Sequence, residues 1–213
     1  MTANARTLTL MDLRQKFGLR FNPEDPFFAQ WLNHAPPLSP REQEALGRLR
    51  RNYSYLSQED SPLEEVVKLV VVSPLLDLAG FYQPPFQLKT EVSICLEIVD
   101  EPDTPAIQGK IDILVIQDSL WIVVIESKPA RLDVTAGVPQ TLTYLLSAPT
   151  VQSILYAMIT NGREILFLKL NRQPSSPQYS RSLTYRWLEN YQECEQVLQG
   201  LKHLGTLLPA NAR

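Results

Sequence analysis

Three residues have the types and spacing to do chemistry. Asp112 is the only acid in the apolar run Lys110-Ile111-Asp112-Ile113-Leu114-Val115-Ile116, and Glu126 and Lys128 close the run Trp121-Ile122-Val123-Val124-Ile125-Glu126-Ser127-Lys128. Two carboxylates offer hard oxygen ligands to Mg²⁺ or Mn²⁺, and magnesium needs only a few of these because it keeps several waters. A nearby ammonium neutralises negative charge as it develops. That combination suits in-line attack of water on a phosphodiester, where a divalent metal supplies Lewis acidity and lowers the pKa of its water. On this reading Asp112 and Glu126 are metal ligands, and the Ser127 backbone carbonyl is a third. Lys128 orients the attacking water or meets the phosphate charge. Glu65 holds a water on the metal or a second metal, and Gln140 hydrogen-bonds Lys128 or the phosphate. A blander reading makes Glu126 and Lys128 a surface cross-strand pair, but such a pair needs no third charge inside an apolar strand.

The elements that would position these groups follow from local pattern. The β-branched run Ile122–Ile125 has no polar alternation, which marks a strand covered on both faces. Asp118-Ser119 is a short turn, so the two runs should form a hairpin with Asp112 across from Glu126. Side chains alternate along a strand, so Glu126 and Lys128 project together. Ser61-Pro62-Leu63-Glu64 reads as a capping box with proline at N1, like Ser39-Pro40-Arg41-Glu42 before it. That assigns Glu64 to the cap and leaves Glu65, about 100° further round, free for the site. Pro74 should kink or end this helix, and Gly80 should cap it.

Around these lie a strand over 86–98, a polar loop over 100–108, and a helix within 133–147 whose Gln140 and Tyr144 share a face at i,i+4. A strand over 151–159, an Asn161-Gly162 type I′ turn and a strand over 164–170 follow. Residues 171–180 read as loop, 183–187 as an edge strand, and the apolar stripe from Leu188 to Leu204 as a last helix. Residues 1–60 read as an N-terminal helical extension docked by its aromatics, and 61–213 as the core with its C-terminal helix.

Composition narrows the class. The chain has 213 residues, 44% hydrophobic and 20% charged, which is one globular domain rather than a disordered chain. A net charge of −3 lacks the footprint of a strong nucleic-acid binder, so any such contact needs a local patch or a partner subunit. Two cysteines, Cys95 and Cys194, are far apart and outside any CxxC, which argues against zinc and for a reducing, cytoplasmic setting. Cys95 sits in a strand pattern and is expected in the core. No stretch reaches membrane-spanning length. His34 and His203 lie outside the motif region, so a histidine base is not expected.

The ordered set resembles the PD-(D/E)xK nuclease superfamily, and more narrowly the N-terminal nuclease domain of type I restriction enzyme R subunits. The residues that carry it are Glu65, Ile111-Asp112, Glu126-Ser127-Lys128, Gln140-Thr141-Leu142-Thr143-Tyr144 and Thr160-Asn161-Gly162. The resemblance covers residues 61–170. It implies an α/β, restriction-endonuclease-like mixed central sheet flanked by helices, with Asp112, Glu126 and Lys128 catalytic, magnesium as the usual metal and DNA as substrate. It also suggests a homodimer or other restriction subunits as partners. The proline of the family's P-D is absent. The R subunits carry an ATP-driven motor, and Gly109-Lys110-Ile111 lacks the upstream glycine and the Ser/Thr of a P-loop. The expected activity is therefore metal-dependent cleavage of DNA without translocation. The alternative is a nuclease-fold module, or a subunit of a larger restriction or repair assembly, that binds nucleic acid or protein and does not cut.

Overall fold

A computed structural model describes residues 3–58, 60–96, 106–173 and 176–207. The strands are β1 (Ala3–Asn4), β2 (Arg20–Phe21), β3 (Phe86–Leu96), β4 (Ile107–Gln117), β5 (Leu120–Ser127), β6 (Ile154–Thr160), β7 (Ile165–Asn171) and β8 (Gln178–Arg181). The main helices are α1 (Leu10–Phe17), α2 (Phe27–Gln30), α3 (Pro40–Leu56), α4 (Glu64–Val67), α5 (Ser73–Leu78), α6 (Val138–Leu146) and α7 (Tyr191–Thr206). The strands form one mixed sheet ordered β1-β4-β5-β6-β7-β8-β2, with β3 also paired to β4.

Helices cover both faces. On one side Leu46, Leu49 and Tyr53 of α3, Val67 of α4, Leu75 of α5 and Val197 and Leu201 of α7 share a buried cluster. On the other, Leu13 of α1 and Leu142 and Leu145 of α6 share a second. This two-sided cover explains the unbroken apolar run of β5, whose residues from Ile122 to Ser127 are all buried. The β4–β5 hairpin forms as expected, with Ile113 opposite Ile125, and the β5-α6-β6 crossover brings β6 in parallel to β5.

The edges of β4 shape the site. β3 pairs along one edge of β4 from Ile107 to Gln117, with the ladder interrupted at Asp112 and at Glu91 across from it. The other edge is shared: β5 takes residues 113–117 and β1, running parallel, takes 107–108. Between them the strand holding Asp112 lacks a paired neighbour on that edge, and β5 swings away to follow β6, so that Lys128 N–H donates to Thr160 O at 2.7 Å.

Several expectations change. The N-terminal residues are more than a docked helical extension, because they also supply β1 and β2, the latter paired with β8. The capping box at Ser39 is present, but the one at Ser61 is not. The helix starts at Glu64 with Leu63 at the cap position and no side-chain cap. Pro74 neither ends nor breaks it. Proline has no N–H for an i→i−4 bond and its ring crowds the earlier carbonyl. The helix accommodates this by widening into a π-turn over Lys68–Val72, where Ser73 N–H donates to Lys68 O. The 161–164 connection is a four-residue loop in which Asn161 Oδ1 accepts from the Arg163 and Glu164 amides, so Asn161 acts through its side chain rather than a type I′ backbone. A strand, β8, forms inside the segment read as loop, while 183–187 supplies only the Ile165–Tyr185 bridge. Cys95 is exposed rather than in the core. Most of the polar loop at 100–108, and the end of the strand read to 98, lie outside the described residues. No described helix is long and apolar enough to cross a membrane.

Candidate active site

The site lies where β4 and β5 diverge, and both helical layers reach it. Asp112 is 5% exposed and Glu126 1%. Asp112 Oδ2 accepts the Ser127 amide at 2.7 Å, which seats its carboxylate against the peptide after Glu126. Burial raises the pKa of Asp112, and the Ser127 amide and Lys68 only partly oppose this. Burial, with the charge of Asp112 added, pushes Glu126 up to about 7. Two buried acids that repel each other favour a cation brought beside them, here the ammonium groups of Lys68 and Lys128.

Lys128 is fixed from two sides. Its Nζ donates to Glu126 Oε1 and to Gln140 Oε1, both at 2.6 Å. Gln140 Nε2 donates to the hydroxyl of Tyr144, and that hydroxyl donates to Lys110 O at 2.8 Å. A hydrogen-bonded chain thus runs from the backbone of β4 through α6 to the lysine at the end of β5. Tyr144 is fully buried and its pKa is pushed up to about 12, chiefly by burial, so it stays a neutral donor.

Two glycines make this packing possible. A Cβ on Gly109 would lie 2.7 Å from the Tyr144 ring, and one on Gly137 would lie 3.2 Å from Lys128 Cε and 2.8 Å from Ile159. Gly109 lets the tyrosine lie on the strand, and Gly137 makes room for the lysine stem. Replacing Tyr144 by Phe leaves Lys110 O without its donor and Gln140 Nε2 without its acceptor. The expected cost is about 1–3 kcal/mol, read in urea melts, as for other buried polar groups left unpaired.

The helical acid is Glu64, not Glu65. Because the helix begins later than the capping-box pattern suggests, Glu64 faces inward and Glu65 is exposed. Glu64 Oε1 lies 3.1 Å from Lys68 Nζ, and its charge helps raise the pKa of both Asp112 and Glu126. Glu64→Ala is therefore expected to cost roughly 0.5–1 kcal/mol through its half-buried pair. Glu65→Ala should stay within about 0.5 kcal/mol, as exposed substitutions do. Thermal melts check these magnitudes, and loss of metal-dependent cleavage in Glu64→Ala but not in Glu65→Ala separates the assignments.

Lys68 and Glu91 were missed by sequence reasoning. Lys68 Nζ sits 3.1 Å from Asp112 Oδ1 and 4.0 Å from Glu91 Oε1. Glu91 also pairs with Lys110 at 2.7 Å and has φ +56, in the left-handed region that non-glycine residues avoid. The Glu64–Lys68 spacing of i,i+4 was the available signal for the lysine. Nothing in the residue types marks Glu91. His34 and His203 stack on each other at 6.3 Å between their ring centroids, His203 on α7.

The donor set fits a hard divalent cation. Glu126 Oε2 is buried without a hydrogen-bond partner, as is the Ser127 hydroxyl. Among the described residues no group of three or more His, Cys, Asp or Glu side chains is arranged to hold an ion. Magnesium does not require one, since one or two carboxylates with waters and substrate phosphate suffice. No family model matches the chain, and no curated protein sequence matches it.

Proposed function

We propose that this protein is a metal-dependent deoxyribonuclease of the restriction-endonuclease-like fold, hydrolysing phosphodiester bonds without an ATP motor of its own. The observation that carries the reading is the convergence of two buried carboxylates, Asp112 and Glu126, with a lysine held by both Glu126 and Gln140. The mixed α/β sheet and its β-hairpin, helix and parallel strand agree with it. Asp112 and Glu126, with the Ser127 carbonyl, would hold Mg²⁺ or Mn²⁺. The ion would supply Lewis acidity at the phosphate and lower the pKa of the attacking water. Lys128 places an ammonium beside the reacting phosphate and stabilises the charge that builds there. Gln140 and Tyr144 keep that ammonium aimed, and the buried walls around Glu126 exclude bulk water. Glu64, in place of Glu65, adds negative potential at the rim.

A second reading keeps the fold and gives up the chemistry, as a module that binds DNA or a protein partner without cutting. The ion pair of Lys68 with Asp112 favours it, because a required ligand oxygen is already engaged. Supercoiled and single-stranded DNA incubated with Mg²⁺ or Mn²⁺, beside an Asp112→Asn control, decides between them. Cleavage that needs both metal and Asp112 supports the nuclease. A metal-dependent rise in melting temperature without cleavage supports the module, since a ligand of the folded state stabilises it either way. If neither metal moves the melt or yields cleavage, the nuclease reading fails.

A further inference from the structure

Lys68 is the one cation among the described residues that touches Asp112, and it comes from the opposite helical layer to Gln140. Asp112 Oδ2 is spent on the Ser127 amide, so Oδ1 is the oxygen left for a cation, and the ammonium of Lys68 lies on it. Lys68 also has other places to go. Glu64 Oε1 is 3.1 Å from its nitrogen and Glu91 Oε1 is 4.0 Å away. Neither of these carboxylates is buried as Asp112 is: Glu64 is 22% exposed and Glu91 52%.

We infer that Lys68 is a built-in counter-cation that competes with the divalent metal for Asp112. In the metal-free protein its ammonium satisfies a carboxylate that burial would otherwise leave uncompensated. When the metal arrives, Lys68 leaves Oδ1 and is held by Glu64 and Glu91, which lie close enough to receive it through rotation of its side chain alone. The exchange keeps the carboxylates compensated: a cation is always beside Asp112, and the freed ammonium always has a carboxylate partner. The metal concentration at which the site fills is thereby set by a residue that does not ligate the metal. Lys68 is set one helical turn after Glu64 and reaches Asp112 from there, at the start of the π-turn. The backbone of Glu91, held at positive φ in β3, keeps the second acceptor in place.

This inference rests on the nuclease reading of the site, and its test separates the two. Mn²⁺ affinity is measured by calorimetry without DNA for the wild type, Lys68→Met, Lys68→Gln and Lys110→Met. Lys68→Met and Lys68→Gln should bind Mn²⁺ about ten- to a hundredfold more tightly, because the ion no longer displaces a paired ammonium. Their metal-free melting temperatures should fall, since Asp112 loses its partner, and Mn²⁺ should restore more than it adds to the wild type. Lys110→Met removes a neighbouring, exposed charge that does not touch Asp112; it frees Glu91 to hold Lys68, so any gain in affinity should fall well short of that from the Lys68 variants. Lys68→Gln keeps a hydrogen-bond donor for Asp112 and serves where Lys68→Met folds poorly. Equal Mn²⁺ affinity in the wild type and the Lys68 variants overturns the inference and leaves the metal site standing. An equal gain from Lys110→Met also overturns it, because general charge removal would then account for the effect. Absence of Mn²⁺ binding in every protein overturns the inference together with the nuclease reading.

Discussion

Glu126→Gln is expected to gain stability relative to the wild type as pH rises, by on the order of 3 kcal/mol between pH 4.5 and pH 8. Glu126 has a folded-state pKa of about 7 against an ordinary value of 4.5, and burial is the leading cause. Between those values the folded protein binds a proton that the unfolded chain releases. Stability from this group is therefore full at low pH, declines as pH climbs from 4.5 toward 7, and stays low above it. Glutamine carries no titrating proton, so the variant escapes the decline. Asp112 is also raised and is present in both proteins, so the difference between them reads the charge of Glu126 together with its repulsion of Asp112. Urea denaturation at pH 5, 6, 7 and 8 checks this, and a gap that does not change with pH would mean Glu126 titrates normally. Bound metal should remove the wild type's disadvantage, because the cation favours the charged carboxylate and its binding releases the proton.

Lys128→Met is expected to reduce DNA cleavage by about a hundredfold to ten-thousandfold, the range for groups that stabilise charge or manage protons in a transition state. Two effects combine. The ammonium is lost from the place where phosphate charge would build, and Glu126 loses the cation 2.6 Å away that opposes its raised pKa. Lys128→Arg should not rescue. The lysine stem runs against Gly137 with little room, and a planar guanidinium has a different shape and donor geometry from the ammonium it replaces. Steady-state cleavage, with far-ultraviolet circular dichroism to confirm the fold, reads the outcome. A variant retaining more than about a tenth of the wild-type rate would remove Lys128 from the chemistry.

The parts of this site that were readable in the sequence are those with a local signature. The hairpin announced itself through two β-branched runs and a short turn, and with it the proximity of Asp112 and Glu126. Gln140 and Tyr144 shared a face by helical spacing, and they do hydrogen-bond. Glu64 and Glu65 were reversed because a capping-box pattern at Ser61 competed with the actual start of the helix, and a short shift in start exchanges which acid faces inward. Lys68 shows only its i,i+4 spacing from Glu64, and its partner Asp112 lies far along the chain. Glu91 could not be read at all, since nothing in its residue type marks the left-handed backbone or the break in the β3–β4 ladder where it sits. Strand β8 escaped because its segment is polar and proline-bearing, and it is held as a strand by β7 and β2 on its two sides.

The short strands at the start of the chain also dictate an order of assembly. β1 pairs with β4 at Ile107, and β2 pairs with β8 at Gln178. Each waits for residues made more than a hundred positions later. The hairpin and the crossover that carry Asp112, Glu126, Lys128 and Gln140 are by contrast contiguous in sequence. Contacts of short loop length close first, because each long closure costs entropy before any pairing compensates for it. β1 and β2 are thus among the last strands to find their partners, and the centre of the sheet can form while both of its borders are still open. In refolding followed by pulsed hydrogen exchange, the amides of β5 and β6 should gain protection before those of β2 and β8.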